Sequence, residues 1–313
     1  MNHSNQDWRP TASPEVLKIR ARLLSSIRNY FEQQGVLEVE TPSLSLATVT
    51  DPYLEAYKVD SYYLQTSPEY AMKRLLAAGS GDIFQLCKSF RTNEKGRLHN
   101  HEFTMLEWYR LDCSLTDMFN EIKNLMSLTL GTKGVDVYKY SDLFMMHLSI
   151  DVTEVSIEQL SDIAAEQCPG YEASDIDDYL TTLFATCIEP VIGISRPCIV
   201  SHYPASQASL AQLDPEDPRF AERFEVFFKG FELANGFHEL RDPDEQIKRF
   251  KSDNLKRKEA GLSEKPIDYR LIDALQSGMP DCTGVALGID RLLMLKAGKS
   301  DISQVMAFDA SNA

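Results

Sequence analysis

The sequence predicts an α+β fold in which an antiparallel sheet is flanked by helices. Apolar residues recur at spacings of three and four from Pro14 to Gln34, which predicts an amphipathic helix with Ser13 as its N-cap. Two apolar segments, 82–91 and 103–110, lie on either side of a polar stretch of eleven residues and predict a long hairpin. This alternation of a periodic helix with a hairpin favours helices packed on an antiparallel sheet.

The remaining elements are predicted in chain order. VLEVETP, residues 36–42, predicts a short strand that a proline ends. Leu115 to Leu130 predicts a second amphipathic helix, with Ser114 at its N-cap. The segment 151–189 contains ten acidic residues and no Lys or Arg, and its periodicity predicts an acidic helical insertion. A basic helix is predicted before Gly261.

Composition excludes several classes of protein. The 313 residues carry 32 Lys and Arg against 47 Asp and Glu, a formal charge of −15, which disfavours a general nucleic-acid binder. No apolar run approaches the roughly 18 residues that span a bilayer, and no secretory leader precedes the first helix, so a cytoplasmic protein is expected. The six cysteines form no CxxC pair, which indicates structural thiols.

The second hairpin segment places polar and aromatic residues on one strand face. Phe103, Glu107 and Tyr109 alternate along it, so they can form a pocket wall in which a ring stacks and two polar groups hold an ammonium. The alternative is a sheet edge with Glu107 in solvent. The preceding loop adds Arg91 and other basic residues, a grouping suited to the phosphates of a nucleotide.

The segment Gly230–Leu240 contains a pair of carboxylates. If Asn235 and Gly236 form a two-residue turn, Glu232 and Glu239 face each other across a hairpin. Facing carboxylates are tolerable when Mg²⁺ bridges them together with substrate phosphates. The alternatives are two solvated glutamates in a loop, or an Asn-Gly pair that simply ends a strand.

GVALGIDRLLML, residues 284–295, combines a glycine-rich strand with an apolar helix. The glycines allow a ligand to approach the backbone closely, although packing alone also explains such a strand. Arg291 stands where the predicted strand passes into the helix, which suits a terminal phosphate.

Together these segments resemble the three signature motifs of class II aminoacyl-tRNA synthetases, and the lysyl-tRNA synthetase branch in particular. The first helix with LEVETPSL resembles motif 1, which implies a homodimer interface around Pro42. Residues 90–110 resemble motif 2, and GVALGIDR resembles motif 3. The resemblance extends nearly from end to end and implies the class II catalytic domain.

TSPEYAMKRLLAAG, IFQLCKSFR and GMPDCTGVALGIDRL are similar to the short synthetase paralogues that attach (R)-β-lysine to translation elongation factor P. Full lysyl-tRNA synthetases carry an N-terminal anticodon-binding barrel, for which the residues before Pro14 leave no room. The resemblance therefore implies a single catalytic domain, 1–313, that has no anticodon-binding domain, uses ATP and Mg²⁺, and acts on elongation factor P rather than tRNA.

The resemblance also implies roles for individual residues. Arg91 and Arg291 are expected to be catalytic, because they hold the α- and γ-phosphates while the amino-acid carboxylate attacks. The expected ATP-binding residues are Arg91, Thr92, Asn93, Asn100, Phe103, Glu232, Leu233, Gly288 and Arg291. The expected substrate-binding residues are Ser67, Pro68, Glu69, Glu107, Tyr109, Glu239 and Ala286. Mg²⁺ is expected on Glu232 and Glu239.

Three positions depart from the lysyl-tRNA synthetase pattern, one of them His101, which replaces a proline common in that branch. Asn93 stands where a glutamate usually contacts the adenine amino group, and the glutamate follows as Glu94. Ala286 replaces a glycine, which implies a reshaped pocket for a substrate other than α-lysine.

Two further functions stay open. A truncated lysyl-tRNA synthetase-like enzyme could act on tRNA or a small acceptor. In a non-catalytic regulatory paralogue, the residues that bind phosphate are expected to be replaced. This sequence keeps all four of them: Arg91, Glu232, Glu239 and Arg291.

Overall fold

The computed structural model describes residues 8–92 and 94–313. The chain divides into two compact units. The first comprises the described residues up to Cys113 together with Leu128–Leu130 and Arg241–Ala313, and the second comprises Ser114–Ser127 and Gly131–Leu240. The single catalytic domain inferred from the sequence stays a prediction, because a division by compactness does not define a catalytic domain.

Helices and strands alternate along the chain, which confirms the α+β prediction. The α-helices of the described residues are α1 (Pro14–Gln33), α2 (Glu69–Ala77), α3 (Leu115–Leu130), α4 (Tyr140–Leu148), α5 (Ile157–Gln167), α6 (Ile176–Leu183), α7 (Pro243–Glu259), α8 (Tyr269–Gln276) and α9 (Ile289–Ala297). The strands are β1 (Leu37–Glu38), β2 (Leu44–Ser45), β3 (Lys58–Val59), β4 (Tyr62–Leu64), β5 (Ile83–Phe90), β6 (Glu102–Leu111), β7 (Asp136–Lys139), β8 (Cys198–Pro204), β9 (Phe220–Phe228), β10 (Phe231–His238) and β11 (Cys282–Gly288).

In the first unit, four strands are hydrogen-bonded in the order β1, β5, β6, β11. β5 and β6 form the predicted antiparallel hairpin, and β11 pairs with the other edge of β6. β1 runs parallel to β5 but pairs only at Leu37 and Glu38. It is therefore shorter than the predicted strand 36–42: β5 begins at Ile83, the partner of Leu37, so Val36 has no partner on it, and the pairing ends after Glu38.

The first helix forms as predicted. The Ser13 side chain accepts a hydrogen bond from the backbone N–H of Val16, and Pro14 occupies the first helical turn, where no intrahelical donor is lost. Its buried face consists of Val16, Leu23, Ile27 and Phe31. Phe31 stacks on Phe84 of β5, with ring centroids 4.6 Å apart, which fixes the helix against the sheet.

In the second unit, four strands are hydrogen-bonded in the order β10, β9, β8, β7. β9 and β10 form a hairpin in which Phe228 pairs with Phe231. The two residues between them, Lys229 and Gly230, both have positive φ, at 53° and 73°. A two-residue loop of this kind matches the twist of the flanking strands.

The predicted acidic insertion is helical. α5 and α6 lie within 151–189, and a short π-helix, Phe184–Ile188, follows them. Ser156 caps α5 and Asp175 caps α6, each through its side-chain oxygen. Their buried faces join a core cluster that includes Leu160, Leu180 and Leu183. The acidic residues are thus carried by a folded segment with its own apolar core.

All six cysteines are free thiols. Within the described residues, no helix is both long and apolar enough to cross a membrane.

We predict that Gly193→Ala destabilises the protein more than Gly230→Ala. Both glycines have positive φ, which costs an alanine about 1–2 kcal/mol. A Cβ at Gly193 would also lie 2.7 Å from the Phe227 carbonyl oxygen, whereas a Cβ at Gly230 meets nothing within 4 Å. We expect a further loss of about 1–3 kcal/mol for Gly193→Ala, measured by urea unfolding. Equal losses would contradict the close approach.

Candidate active site

A buried carboxylate lies in the middle of β6. Glu107 is 2% exposed. The Ser67 hydroxyl donates a hydrogen bond to Glu107 Oε2 over 2.7 Å, and the Tyr109 hydroxyl donates to Glu107 Oε1 over 2.7 Å. Burying a carboxylate is costly unless hydrogen bonds or a cation compensate it. The two hydroxyls therefore hold Glu107 in one orientation and stabilise its charge.

Small residues lie beside this carboxylate on β11. Ala286 is the register partner of Glu107, and Gly284 is the partner of Tyr109. Gly288 follows on the same strand face as the partner of Met105. These three residues have little or no side chain, so they fill little of the space on the sheet face beside Glu107.

The SPE tripeptide, which was expected to bind substrate, begins α2. Ser67 accepts a hydrogen bond from the Glu69 N–H over 3.0 Å while donating to Glu107, and Pro68 is the residue that precedes the helix. Glu69 forms an ion pair of 2.7 Å with Lys73, one turn along, and Lys73 is 1% exposed. The structure thus brings Ser67 to Glu107 and pairs the charge of Glu69 within its own helix.

Arg91 and Phe103 lie together where the β5–β6 hairpin ends. The Arg91 guanidinium is 5.1 Å from the centroid of the Phe103 ring, a cation–π contact, and its Nη1 lies 3.3 Å from Glu94. Thr92 donates its backbone N–H to the Glu55 carbonyl over 2.8 Å. Asn93, expected to contact adenine, lies outside the described residues.

Arg291 extends from the first turn of α9 toward the hairpin loop. Its Nη2 donates to His99 Nε2 over 2.7 Å, and its Nε donates to the Leu98 carbonyl over 3.4 Å. Burial lowers the pKa of His99, and the positive charge of Arg291 lowers it further. His99 is therefore neutral near pH 7, which lets its Nε2 accept the hydrogen bond.

The Asn100 side chain connects the loop to the C-terminal segment. Its Nδ2 donates to the Glu102 carbonyl over 2.7 Å, and its Oδ1 accepts the Ala310 N–H over 3.0 Å. The structure thus gives Asn100 a role within the fold. Its expected contact with a nucleotide stays a prediction and would use its second N–H.

The predicted turn at Asn235 and Gly236 is wrong. These residues lie within β10, where Asn235 pairs with Glu225 and Gly236 pairs with Phe224. The turn falls instead at Lys229 and Gly230. A Lys-Gly pair is a weaker turn signal than Asn-Gly, and the continuous pairing of β10 with β9 outweighed the local preference.

Glu232 and Glu239 therefore do not face each other across a hairpin. Glu232 lies in β10 and Glu239 directly follows that strand. A β-bulge between them changes which face of the sheet each side chain has. Glu232 pairs with Phe227 and Ala234 with Val226, so Leu233 is an extra residue. The bulge shifts the alternation of side chains by one residue, so the register places Glu232 and Glu239 on the same face of the sheet. Leu233 is buried at the bulge.

Glu225 joins this strand face and was not among the expected site residues. Its Oε1 accepts from Arg223 over 2.5 Å, and its Oε2 accepts from the Tyr203 hydroxyl over 2.7 Å. Burial raises the pKa of Glu225; Arg223 opposes that rise, and the Glu232 carboxylate adds to it. The signal that could have found Glu225 is its alternation on β9, which becomes informative only when its pairing with β10 is known.

Glu232 and Glu239 are the carboxylates expected to bind Mg²⁺. The described residues contain no group of three or more His, Cys, Asp or Glu side chains that could hold a metal by themselves. Mg²⁺ commonly binds one or two carboxylates and takes its other ligands from substrate phosphates and water. Glu232 and Glu239 supply the right donor atoms for such a shared site.

Gln85 was also missed by sequence reasoning. It is the register partner of Glu107 on β5 and is 3% exposed. Among the described residues its Oε1 has no hydrogen-bond partner. Composition gave no signal for it, since a single glutamine within an apolar strand is identified only by the strand that pairs with it.

We predict that His99→Gln reduces the loss of stability on acidification. The folded protein binds the His99 proton less readily than the unfolded chain, whose pKa is near 6.5, so the fold loses stability as the pH falls below 6.5 and is unaffected above it. Glutamine keeps an acceptor for Arg291 but does not titrate. Urea unfolding at pH 7.5 and pH 5.5 should show a smaller difference for the variant; identical differences would show that His99 contributes nothing.

Comparisons with known proteins agree with this arrangement. The family model of class II tRNA synthetases (D, K and N) matches residues 1–312. The chain is 50% identical to the elongation factor P--(R)-beta-lysine ligase of Vibrio cholerae serotype O1 over 97% of its length and 98% of that protein. It is 49% identical to the ligase of the same name from Edwardsiella ictaluri and 48% identical to that from Pectobacterium atrosepticum, over 98% of both chains in each case.

A match of this extent, joined to the α+β fold and the motif residues described above, shows that the chain belongs to the class II tRNA synthetase family and, within it, to the elongation factor P--(R)-beta-lysine ligases.

Proposed function

We propose that this protein activates (R)-β-lysine with ATP and transfers it to the ε-amine of a lysine on translation elongation factor P. The observation that carries the proposal is the near-full-length similarity to ligases of that name. The buried Glu107 carboxylate, with small residues beside it, supports an ammonium-bearing substrate.

The first step is adenylate formation. One oxygen of the β-lysine carboxylate attacks the α-phosphorus of ATP in line, a P–O bond forms, and pyrophosphate leaves with the electrons of the bond that breaks. Arg91 stabilises charge on the α-phosphate and Arg291 binds the γ-phosphate. Phe103 stacks on adenine, and Arg91, which lies over that ring, moves toward the phosphate as adenine binds.

The β-lysine side chain fixes the carboxylate for attack. Its ammonium binds Glu107 and Tyr109, and Ser67 keeps Glu107 oriented. Glu69, Pro68 and Ala286 complete the amino-acid site, and Glu239 binds the second amine. Holding the two reactants in one geometry supplies much of the rate enhancement, because the proposed reaction proceeds without a covalent enzyme intermediate.

The remaining nucleotide contacts come from three segments. Thr92, Asn93, Asn100 and Gly288 contribute from the hairpin loop and the start of α9, and Glu232 and Leu233 contribute from β10. Glu232 and Glu239 hold Mg²⁺, which neutralises phosphate charge when bound.

The second step is transfer to the acceptor. A deprotonated lysine amine attacks the adenylate carbonyl, an amide forms, and AMP leaves with the electrons of the C–O bond. The acidic segment 151–189 and the net charge of −15 support a protein acceptor over tRNA, whose phosphates they repel. Because translation factors act in the cytoplasm, we expect the transfer of the amino acid to take place there.

The enzyme is proposed to act as a homodimer. The segment 37–62 contains the sequence that resembles motif 1, and it exposes several large apolar side chains, which a second copy would cover. These are Leu37, Leu44, Leu46, Val59 and Tyr62.

An acceptor comparison tests the proposal. Radiolabelled (R)-β-lysine and ATP are supplied with elongation factor P, with bulk tRNA, or with elongation factor P whose lysines have been reductively methylated. We expect label only in the unmodified protein. Label in tRNA would favour a truncated synthetase, and label in neither acceptor, without pyrophosphate exchange, would favour a non-catalytic regulator.

We predict that Glu107→Gln lowers kcat/KM for (R)-β-lysine roughly 100-fold or more, because the substrate ammonium loses a buried charge partner. The KM for ATP should change little. The control is Glu102→Gln on the same strand, whose carboxylate pairs with Lys88 at the surface. Pyrophosphate exchange measures both variants, and a normal rate for Glu107→Gln would remove this residue from the substrate site.

We also predict that Glu232→Gln and Glu239→Gln each raise the Mg²⁺ concentration that gives half-maximal exchange, by about tenfold, since each removes one ligand charge. The exposed Glu216, in the same unit, serves as the control through Glu216→Gln. If both test variants titrate like the wild type, the carboxylates do not hold the metal.

A further inference from the structure

Arg20 joins α1 to the start of α9 through a buried ion pair. Its Nη1 lies 2.6 Å from Asp290 Oδ1, and the two side chains are 17% and 2% exposed. The same Nη1 also donates to the Val305 carbonyl over 3.4 Å. A charge pair this far from solvent is little screened, so it resists small displacements of either partner.

The other arm of Arg20 reaches β6. Its Nη2 donates to Thr104 Oγ1 over 2.6 Å. The Thr104 backbone N–H in turn donates to Asp290 Oδ2 over 2.6 Å. Each of Arg20, Asp290 and Thr104 thus contacts the other two, so the three residues form a closed triangle. This arrangement leaves little freedom to the backbone at residues 104 and 290.

Two of the three corners, Thr104 and Asp290, are adjacent in sequence to residues of the proposed nucleotide site. Thr104 follows Phe103, the ring proposed to stack on adenine, and Asp290 precedes Arg291, proposed to bind the γ-phosphate. Thr104 and Asp290 are both largely buried, so neither is available to a ligand itself. The triangle therefore fixes the spacing between the two ends of the nucleotide without contacting it.

Stability alone is a poor explanation for this pair. Burying two charges costs desolvation energy that the attraction between them often fails to exceed, and apolar residues of similar size commonly stabilise a core as well. An arginine that binds two elements bidentately provides instead a defined geometry. The sequence also places Arg20 in the helix that resembles the dimerisation motif, far along the chain from either nucleotide residue.

We propose that Arg20 is a positioning residue for the nucleotide site: through Thr104 and Asp290 it sets the distance between Phe103 and Arg291. The inference rests on the proposed ATP site. It extends that site to α1, a helix whose side chains were expected to serve only packing and dimerisation.

The test measures ATP affinity without amino acid or acceptor. Arg20→Met removes both arms, Arg20→Lys keeps the charge but spans only one, and Thr104→Val removes the Oγ1 arm alone. The control is Arg28→Met, on the same helix as Arg20, which breaks the exposed 2.9 Å pair between Arg28 and Glu38 of β1. ATP dissociation constants are measured by calorimetry at a temperature where melting curves show each variant folded.

We expect the ATP dissociation constant to rise at least tenfold for Arg20→Met, less for Arg20→Lys and Thr104→Val, and not for Arg28→Met. The affinity for (R)-β-lysine should be unchanged. Unchanged ATP affinity in all three variants, or equal losses for ATP and β-lysine, would overturn the proposal. If Arg20→Met does not fold, Arg20→Lys and Thr104→Val decide it.

A double-mutant comparison separates positioning from a general structural effect. In an Arg291→Ala background, Arg20→Met should weaken ATP binding by clearly less than it does in the wild type, because part of its effect acts through Arg291. Fully additive losses would contradict this. Failure of the proposed function has a different signature, since a wild-type protein that binds no ATP, or that binds ATP and exchanges no pyrophosphate, would be evident before any variant is made.

Discussion

The candidate site depends on one buried carboxylate. Glu107 lies within β6, where two hydroxyl donors hold its oxygens and where its register partner on β11 is an alanine with a glycine two residues away on either side. A charge at such a position costs free energy, which the fold tolerates because strands on both sides fix the surrounding groups. The orientation of Ser67 is part of the same constraint, since its hydroxyl links the start of α2 to the carboxylate.

The side of the site that is proposed to bind phosphate carries two arginines, Arg91 and Arg291. Arg91 lies over the Phe103 ring with its Nη1 3.3 Å from Glu94, and Arg291 donates to a neutral histidine. Such contacts can be exchanged for phosphate at moderate cost. Arg20, by contrast, is bound to a buried carboxylate and shapes the backbone beneath both groups. The residues proposed to bind the nucleotide are thus distinct from Arg20, which is proposed to position them.

Capping residues and apolar periodicity predicted the elements that depend on interactions between residues close together in the chain. The helix that Ser13 caps, the helix that Ser114 caps and the β5–β6 hairpin are confirmed, because capping and periodicity act within a few residues. The turn in the Glu232 segment was placed at Asn235 and Gly236 instead of Lys229 and Gly230. There, pairing with β9 over the length of the strand outweighed the preference of two residues.

Long-range contacts were beyond the sequence. The Arg20–Asp290 pair joins residues 270 positions apart, and neither residue type nor spacing indicates it. Gln85 and Glu225 became visible only through the register of their strands. The bulge at Leu233, which gives Glu232 and Glu239 the register of one face, depends on pairing as well.

The most direct test of the central role of Glu107 is a crystal structure of the protein with a non-hydrolysable sulfamoyl analogue of (R)-β-lysyl-adenylate. We predict that the side-chain ammonium lies about 3 Å from Glu107 and Tyr109, with adenine stacked on Phe103. An analogue whose ammonium is bound elsewhere, while Ser67 and Tyr109 still hold Glu107, would contradict it.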